Sequence, residues 1–494
     1  MSQVRSITTR SGILFFGKII DAFFMFVFNL LAAKFIGAEG YGTYVYVSTL
    51  IMFLAIGIKL GMDHGLTAML PSMRDDRREK ELVSFSVYCL LAISLVLGIL
   101  FIFGADFIAD TVMNNPNLKQ ALVLFVPLMF PISFVQMSEG IFRSVGGIKH
   151  FFIGKNIIMP ISLVGFFLFR VIWLKDVSVE SLIFSNYFAW TINVFYLVGV
   201  LLKRRILVGL SRSNAAFFKK LMVISIPLIF VGLIEFLMGR IDAYVIGYKL
   251  TEVDVGVYSI VDKLAYIGNF MFITGGSMMA PVLARYYADG NYEELRSTYF
   301  AVNRWILIIN TAVFGGLMLL GHQVLALFGP DFMVGDGVLY ALSFAQLINA
   351  FFGPLTFLNA MVGLEKIEWR IGMGMLILNT VLDIVVSEPF GIHGVAVVSI
   401  FIYLIGNIIR MWWFNKRFGI SLVSLSGFKI ILLGVMAYLP VAFALKNNPF
   451  SGFMVTFILF GAAFSLLYLG LVWIWGLNRL DRQNLKKMIF RKNQ

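Results

Sequence analysis

Several charged and polar side chains lie inside apolar stretches of this sequence. These side chains are the ones that could carry chemistry. In the first stretch, Lys18, Asp21 and Asn29 fall on one face of a helix. In the second, Lys59 and Asp63 are four residues apart, close enough to pair along one side of a helix. Ionisable side chains in hydrocarbon are costly and normally face the protein interior or a watery cavity. These five residues are therefore candidates for contact with a cargo.

The middle of the chain adds a second group of candidates. Glu235 and Asp242 are seven residues apart and nearly aligned on a helix, and Arg240 lies between them; Lys263 and Arg304 occupy the next two apolar stretches. The candidates include more basic than acidic residues. Lys and Arg bind phosphate strongly where water is scarce. The set predicts a positively biased cavity for an anionic cargo such as a diphosphate head group.

A structural role is the alternative for each basic candidate. Lys18, Lys59 and Arg304 are also suited to internal ion pairs that hold a helix bundle together. Lys263 and Arg240 can instead extend toward the outer interface and keep their charges in water. Both interpretations remain open at this point.

Signatures of catalysis are missing from the sequence. The four histidines have no metal-ligand spacing, and there is no phosphate-binding loop or nucleophile elbow. We expect a protein that is not an enzyme and has no cofactor. If it were an enzyme, a membrane-embedded glycosyltransferase or ligase would be the form it took.

Composition defines the environment of these residues. Of the 494 residues, 60% are hydrophobic and only 14% are charged, whereas about a quarter of a soluble protein is charged. Continuous apolar runs of roughly twenty residues, without two-residue alternation, predict membrane-spanning helices rather than a barrel. The net charge of +13 is explained by basic residues that fix membrane orientation, so no nucleic-acid partner is expected.

The hydropathy pattern predicts an all-α, polytopic membrane protein of about fourteen transmembrane helices. The predicted helices are 11–36, 42–70, 82–104, 118–142, 150–171, 181–202, 217–248, 254–280, 297–321, 337–362, 370–387, 392–414, 427–446 and 451–475. Roughly 26 of the 40 basic residues then fall on the side that carries both termini, which predicts that this side is cytoplasmic.

Internal similarity indicates two lobes built on one plan. Gly42-Thr43-Tyr44 and Gly256-Val257-Tyr258 match in type, and each opens an apolar run. The longest polar connection, 203–220, comes just before the repeat begins again. We predict an N-lobe at 1–205, a C-lobe at 206–420, and helices 13 and 14 with a basic cytoplasmic tail at 421–494. Parallel repeats of this kind are a recurrent transporter plan, whereas no channel filter is visible.

Three segments resemble one family of transporters. They are Gly-Ala-Glu-Gly-Tyr-Gly-Thr-Tyr at 37–44, Pro-Val-Leu-Ala-Arg-Tyr-Tyr-Ala-Asp-Gly-Asn-Tyr-Glu-Glu-Leu at 281–295, and Asn-Thr-Val-Leu-Asp at 379–383 followed by Pro-Phe-Gly-Ile-His-Gly-Val-Ala at 389–396. In order and spacing they resemble the multidrug/oligosaccharidyl-lipid/polysaccharide exporter superfamily, in its polysaccharide-flippase branch. Asp383 and Val395 depart from the family's usual Asn and Ala. We expect Asp383 to bond backbone or water near the outer interface.

The resemblance implies a fold and a function. The fold is two six-helix lobes in a V around a central cavity, plus two C-terminal helices, working by alternating access. The function is translocation of undecaprenyl-diphosphate-linked oligosaccharides across the bacterial inner membrane, for O antigen, capsule or exopolysaccharide. The implied partners are the lipid-linked substrate, membrane lipid, a polysaccharide polymerase and a chain-length regulator. The runner-up is a cation-coupled multidrug or metabolite antiporter that uses Asp21, and coupling to H+ or Na+ is left open.

Overall fold

The computed structural model describes residues 2–73, 76–207, 215–422, 425–446, 453–478 and 481–483. These residues are almost entirely helical and contain no strand. Part of the predicted polar connection 203–220, the start of the predicted helix 451–475 and most of the basic tail lie outside the described residues. In the described part, twelve continuous stretches are long and apolar enough to cross a membrane. The chain is therefore a multi-pass helical membrane protein, as the sequence predicts.

The helices follow one another with short connections. The first eleven are α1 (Ser2–Ile58), α2 (Met62–Met69), α3 (Asp76–Phe103), α4 (Ala105–Phe107), α5 (Lys119–Phe125), α6 (Met129–Ser144), α7 (Ile148–Ile153), α8 (Met159–Ile172), α9 (Val179–Lys203), α10 (Ala215–Met238) and α11 (Ile241–Lys249). The remainder are α12 (Glu252–Ala265), α13 (Asn269–Ala288), α14 (Tyr292–Phe328), α15 (Asp336–Phe352), α16 (Leu355–Met361), α17 (Glu365–Phe418), α18 (Leu425–Lys446) and α19 (Phe453–Leu471).

Two apolar stretches are far longer than one membrane crossing. They cover 56 residues at 17–72 and 54 residues at 365–418, and a straight helix of 56 residues would be about 84 Å long. Each is broken at a glycine with non-helical backbone, Gly37 (φ 79°) and Gly391 (φ 59°). Glycine reaches positive φ without a Cβ clash. Each stretch thus has the length and the break for two crossings, and the total of about fourteen stays a prediction.

By internal compactness the chain divides into two units, Met1–Gly256 and Val257–Gln494. In the first unit, α6 lies at the centre and contacts α1, α2, α3 and α9. The sequence prediction assigns α10 and α11 to the C-lobe, yet α10 packs on α1, α2 and α3 in the first unit. The predicted lobe limits stay predictions, because a division by compactness does not test a division by repeat.

The second unit is centred on α14, which contacts α13, α15, α18 and α19. Ile306 and Leu320 of α14 share a buried cluster with Ile430 of α18 and Phe464 of α19. The Tyr468 hydroxyl on α19 donates to the Ile308 carbonyl at 3.0 Å. The two C-terminal helices are therefore joined to the second unit through α14.

Candidate functional site

The membrane-spanning path from α1 to α2 is interrupted at Lys59–Gly61. Leu60 and Gly61 both have positive φ, 52° and 67°. Just across this break, the Lys59 ammonium lies 2.6 Å from the Asp63 carboxylate, and the two side chains are only 12% and 13% exposed. His64 Nε2 is 3.6 Å from the same carboxylate oxygen. A charged pair thus marks an interrupted helix inside an apolar segment, an arrangement that transporters use at binding sites.

Neighbouring helices hold this break in place through small residues. The Ser133 hydroxyl on α6 donates to the Ala55 carbonyl at 2.9 Å, just before the break. Gly140 of α6 lies against the Asp63 backbone, and a Cβ at Gly61 would overlap the Ser225 carbonyl of α10. Because α6 and α10 approach so closely, the pair has a fixed position in the first unit.

One helical turn before Asp21, α1 packs on a distortion in the helix of residues 148–172. Gly154–Ile158 forms a π-helical turn, and Gly17 of α1 packs against Asn156 of that turn. The Lys155 charge acts on the half-buried Asp21 carboxylate, and the Lys155 ammonium lies 5.4 Å from the Phe151 ring centre. Asp21 therefore has a cationic side chain nearby, the exposed Lys155, and π-helical turns are frequent at functional sites.

Asn29 belongs to a buried polar cluster rather than to an open surface. Its amide donates to the Met25 carbonyl at 2.6 Å and its oxygen accepts from the Tyr41 hydroxyl at 2.7 Å. Asn186 donates to the Tyr44 hydroxyl at 3.1 Å. Both tyrosines lie in the helical part of α1 that follows its break at Gly37, so the cluster fixes that part of α1 against the rest of the unit.

Arg240 lies at the break between α10 and α11 and is half-buried. Its charge acts on the hydroxyls of Tyr41 and Tyr44. Among the described residues it makes no ion pair with a carboxylate. A guanidinium in this setting can still bind an anion through several parallel hydrogen bonds.

The remaining candidates divide by exposure. Lys18 and Glu235 are exposed, while Asp242 and Lys263 are half-buried and each has an interaction partner. Within the described part of the chain, Lys18 makes no ion pair. Eight of the ten candidates lie in the first unit, and only Lys263 and Arg304 lie in the second. Whether these residues meet a cargo stays a prediction.

Arg304 takes the structural role that the sequence left open. Its guanidinium lies 2.9 Å from Asp481, and the two side chains are 10% and 12% exposed. Asp481 follows α19, so the pair ties the C-terminal segment to α14. Of the three basic residues considered for internal ion pairs, two form one each: Lys59 with Asp63 and Arg304 with Asp481.

Asp383 is fully buried on α17, and its expected position near the outer interface stays a prediction. Its carboxylate accepts from the Asn379 amide, one turn earlier, at 2.9 Å. Burying a carboxylate is costly unless its charge is compensated, so an intramembrane acid is a functional candidate by default. The sequence feature that could have drawn attention to this position is Asp383 itself, which replaces the family's usual Asn.

Hydrogen bonds join α11 and the residues that follow it to other parts of the first unit. The Tyr244 hydroxyl donates to the Val112 carbonyl at 2.8 Å, and the Asn114 amide donates to the Tyr248 carbonyl at 3.2 Å. Asn115 donates to Glu252. We call this set, with the glycine contact described next, the outer clasp.

Gly42 and Gly256, which mark the internal repeat in the sequence, lie close together in the outer clasp. A Cβ at Gly42 would overlap the Glu252 carbonyl, and one at Gly256 would overlap the Ala38 carbonyl. Backbones approach this closely only where both residues lack a side chain. The matching segments found in the sequence, which are helical in α1 and α12, are thus packed on each other within the first unit.

Among the described residues, no group of three His, Cys, Asp or Glu side chains could hold a metal ion. Within the described ranges, the candidates offer fixed charge: the Arg240 guanidinium without a carboxylate partner, the exposed Lys18 and the Lys59–Asp63 pair at a helix break. Fixed charges of this kind are suited to binding an ion or a charged group.

A family model described as "Polysaccharide biosynthesis protein" matches residues 30–332, more than half of the chain. The chain belongs to this polysaccharide biosynthesis family. It is also 23% identical over 473 residues to an uncharacterized membrane protein of Methanocaldococcus jannaschii, covering 91% of this chain and 90% of that protein.

Solved structures of the multidrug/oligosaccharidyl-lipid/polysaccharide exporter superfamily share the fold. The lipid II flippase MurJ in an inward closed conformation matches with a TM-score of 0.69 and 15% identity, covering 94% of this chain and 98% of that one. An inward-facing multidrug resistance MATE transporter matches with a TM-score of 0.67 and 15% identity, covering 79% of this chain and 93% of that one. The predicted family resemblance is confirmed.

Proposed function

We propose that this protein is a flippase that moves undecaprenyl-diphosphate-linked oligosaccharides across the bacterial inner membrane. The cargo would serve the synthesis of a surface polysaccharide such as O antigen, capsule or exopolysaccharide. Family membership, the flippase-like fold and the multi-pass architecture support this proposal. Both termini would be cytoplasmic, and a polysaccharide polymerase and a chain-length regulator would act on the product.

The observation that carries the proposal is the state of Arg240. It is a half-buried guanidinium without a carboxylate partner among the described residues, at a break in a membrane-associated helix pair. Such a charge is costly unless an anion binds it. A diphosphate supplies that anion, and the exposed Lys18 supplies a second positive charge toward the same class of cargo.

The Lys59–Asp63 pair has a further part in this proposal. An arriving phosphate would compete with Asp63 for the Lys59 ammonium, because both are oxygen anions of similar hydrogen-bonding geometry. The break at Leu60 and Gly61 leaves the backbone free of regular helix there, which lowers the cost of the rearrangement. Alternating access would follow when the outer clasp opens.

Coupling to H+ or Na+ is part of the proposal, and Asp383 is the residue to test. Its fully buried carboxylate, with the Asn379 amide at 2.9 Å, offers oxygen atoms to a proton or a small cation. Asp383→Asn keeps the shape and removes the charge. We expect cargo movement in this variant to lose its dependence on an ion gradient; dependence equal to wild type would exclude Asp383.

The antiporter alternative rests on Asp21 and on the MATE-like fold. The family model is that of a polysaccharide biosynthesis protein, which leaves the flippase as the better-supported function.

Binding measurements test the proposal most simply. Purified protein is titrated with undecaprenyl-diphosphate oligosaccharide, and Arg240→Gln and Lys18→Gln are compared with Lys34→Gln, which removes an exposed charge on the same α1. Loss of one charge-assisted contact predicts binding that is roughly 10- to 150-fold weaker. Equal affinity for all three variants would contradict the proposal.

A further inference from the structure

An apolar groove lies at the basic end of α17, away from the residues discussed so far. It encloses about 360 Å³ and is lined by Phe352, Ile408, Met411, Trp412, Asn415 and Ser421. This volume is within the range of small-molecule pockets, about 300–1,000 Å³. All six residues belong to the second unit.

One face of α17 forms the wall of the groove. Ile408, Met411, Trp412 and Asn415 recur at the three- and four-residue spacing of a single helix face. Ile408 and Trp412 remain 50% and 53% exposed, so the wall is open at the surface of the protein.

The rotation of this face is fixed from the other side of the helix. Arg410 Nε donates to Glu368 at 2.6 Å, and the two side chains are 11% and 12% exposed. The Phe352 carbonyl opposite is held by the buried Tyr299 hydroxyl. The groove is therefore a built feature with rigid walls.

Positive charge is concentrated at the polar end of the groove. The Lys416 ammonium lies 4.8 Å from the Trp412 ring centre and 5.3 Å from that of Trp413, and Arg417 is exposed beside it. Tryptophan and lysine in this arrangement are typical of the level where hydrocarbon meets head groups. An acyl chain in the groove would bring its phosphate next to Asn415, Lys416 and Arg417.

We propose that this groove binds one anionic phospholipid, with an acyl chain along α17 and its head group at Lys416 and Arg417. The charge of the groove's end selects the anionic head group. The small volume accommodates part of a single acyl chain, which favours a phospholipid over the long polyprenyl tail of a cargo. Bound lipid would stabilise the end of α17 and the connection to α18.

Native mass spectrometry of delipidated protein, titrated with phosphatidylglycerol or phosphatidylcholine, tests the proposal. We expect one phosphatidylglycerol per protein and at least about tenfold weaker binding of phosphatidylcholine. The double variant Lys416→Gln/Arg417→Gln should weaken phosphatidylglycerol binding about thirtyfold. The control Lys203→Gln/Lys220→Gln, which removes two exposed charges of the first unit, should bind as wild type does.

The position of the lipid is tested with brominated phosphatidylglycerol, which quenches nearby tryptophan. Trp412→Phe should remove most of the lipid-dependent quenching, and Ile408→Trp, which fills the groove, should abolish one-to-one binding. Equal binding of the two lipids, a double variant equal to its control, or stronger binding of undecaprenyl phosphate at this groove would each overturn the proposal. The double variant changes exposed residues only, so it tests the idea even if Ile408→Trp fails to fold.

Discussion

The Lys59–Asp63 ion pair at the break between α1 and α2 allows a test of whether Lys59 stabilises the fold, contacts the cargo or does both. Lys59→Met leaves the Asp63 carboxylate 13% exposed without its cation, and its Oδ1 atom already has no hydrogen-bond partner. Removal of one partner from a buried pair costs about 3–5 kcal/mol. Because this pair retains slight exposure, we expect about 3 kcal/mol of lost unfolding free energy.

Replacing both partners should recover most of that loss. In Lys59→Met/Asp63→Leu no charge remains in the apolar setting, so a double-mutant cycle should give a coupling energy of about 2 kcal/mol. Unfolding in mixed micelles, followed by tryptophan fluorescence, measures all four proteins.

Translocation by the same four proteins separates the two roles of Lys59. If Lys59 also contacts the cargo's phosphate, the double variant is stable but inactive. A coupling energy near zero would refute the stabilising pair, and a double variant that translocates as wild type does would refute the contact with phosphate.

Two further changes test other parts of the structure. Gly42→Val should destabilise the protein by about 1–3 kcal/mol or more, because the new side chain would overlap the Glu252 carbonyl in the outer clasp. Gly57→Ala is the control and should not destabilise the protein, because the space around Gly57 is open. Equal thermal stability of the two variants would contradict close packing in the outer clasp. Asp481→Asn should weaken the hold of the C-terminal segment on Arg304 and speed its limited proteolysis, whereas an unchanged cleavage rate would show that the pair does not anchor the segment.

The sequence predicts the local features of this fold well. The Gly-Ala-Glu-Gly turn predicts the end of the first crossing near 36, and the structure breaks α1 at Gly37. The four-residue spacing of Lys59 and Asp63 predicts the ion pair that the structure contains. Both signals are local, because each depends only on residues within one or two helical turns.

Contacts between distant residues could not be predicted from the sequence. Nothing in helical periodicity joins Arg304 to Asp481, and the choice between a cavity residue and an ion-pair partner depended on that contact. The burial of Asp383 likewise depends on what packs around α17. The predicted connection near 388–391 is helical up to Gly391, because Pro389 is accommodated inside the helix and the break is at the glycine.

Translocation in proteoliposomes measures directly whether this protein moves lipid-linked oligosaccharide across a bilayer. Vesicles with purified protein carry fluorescent undecaprenyl-diphosphate oligosaccharide, and a membrane-impermeant reagent reports the fraction that reaches the outer leaflet. We expect protein-dependent translocation that Arg240→Gln reduces at least about tenfold while Lys34→Gln does not. Absence of translocation together with ion-driven efflux of a multidrug dye from the same vesicles would contradict the proposed function.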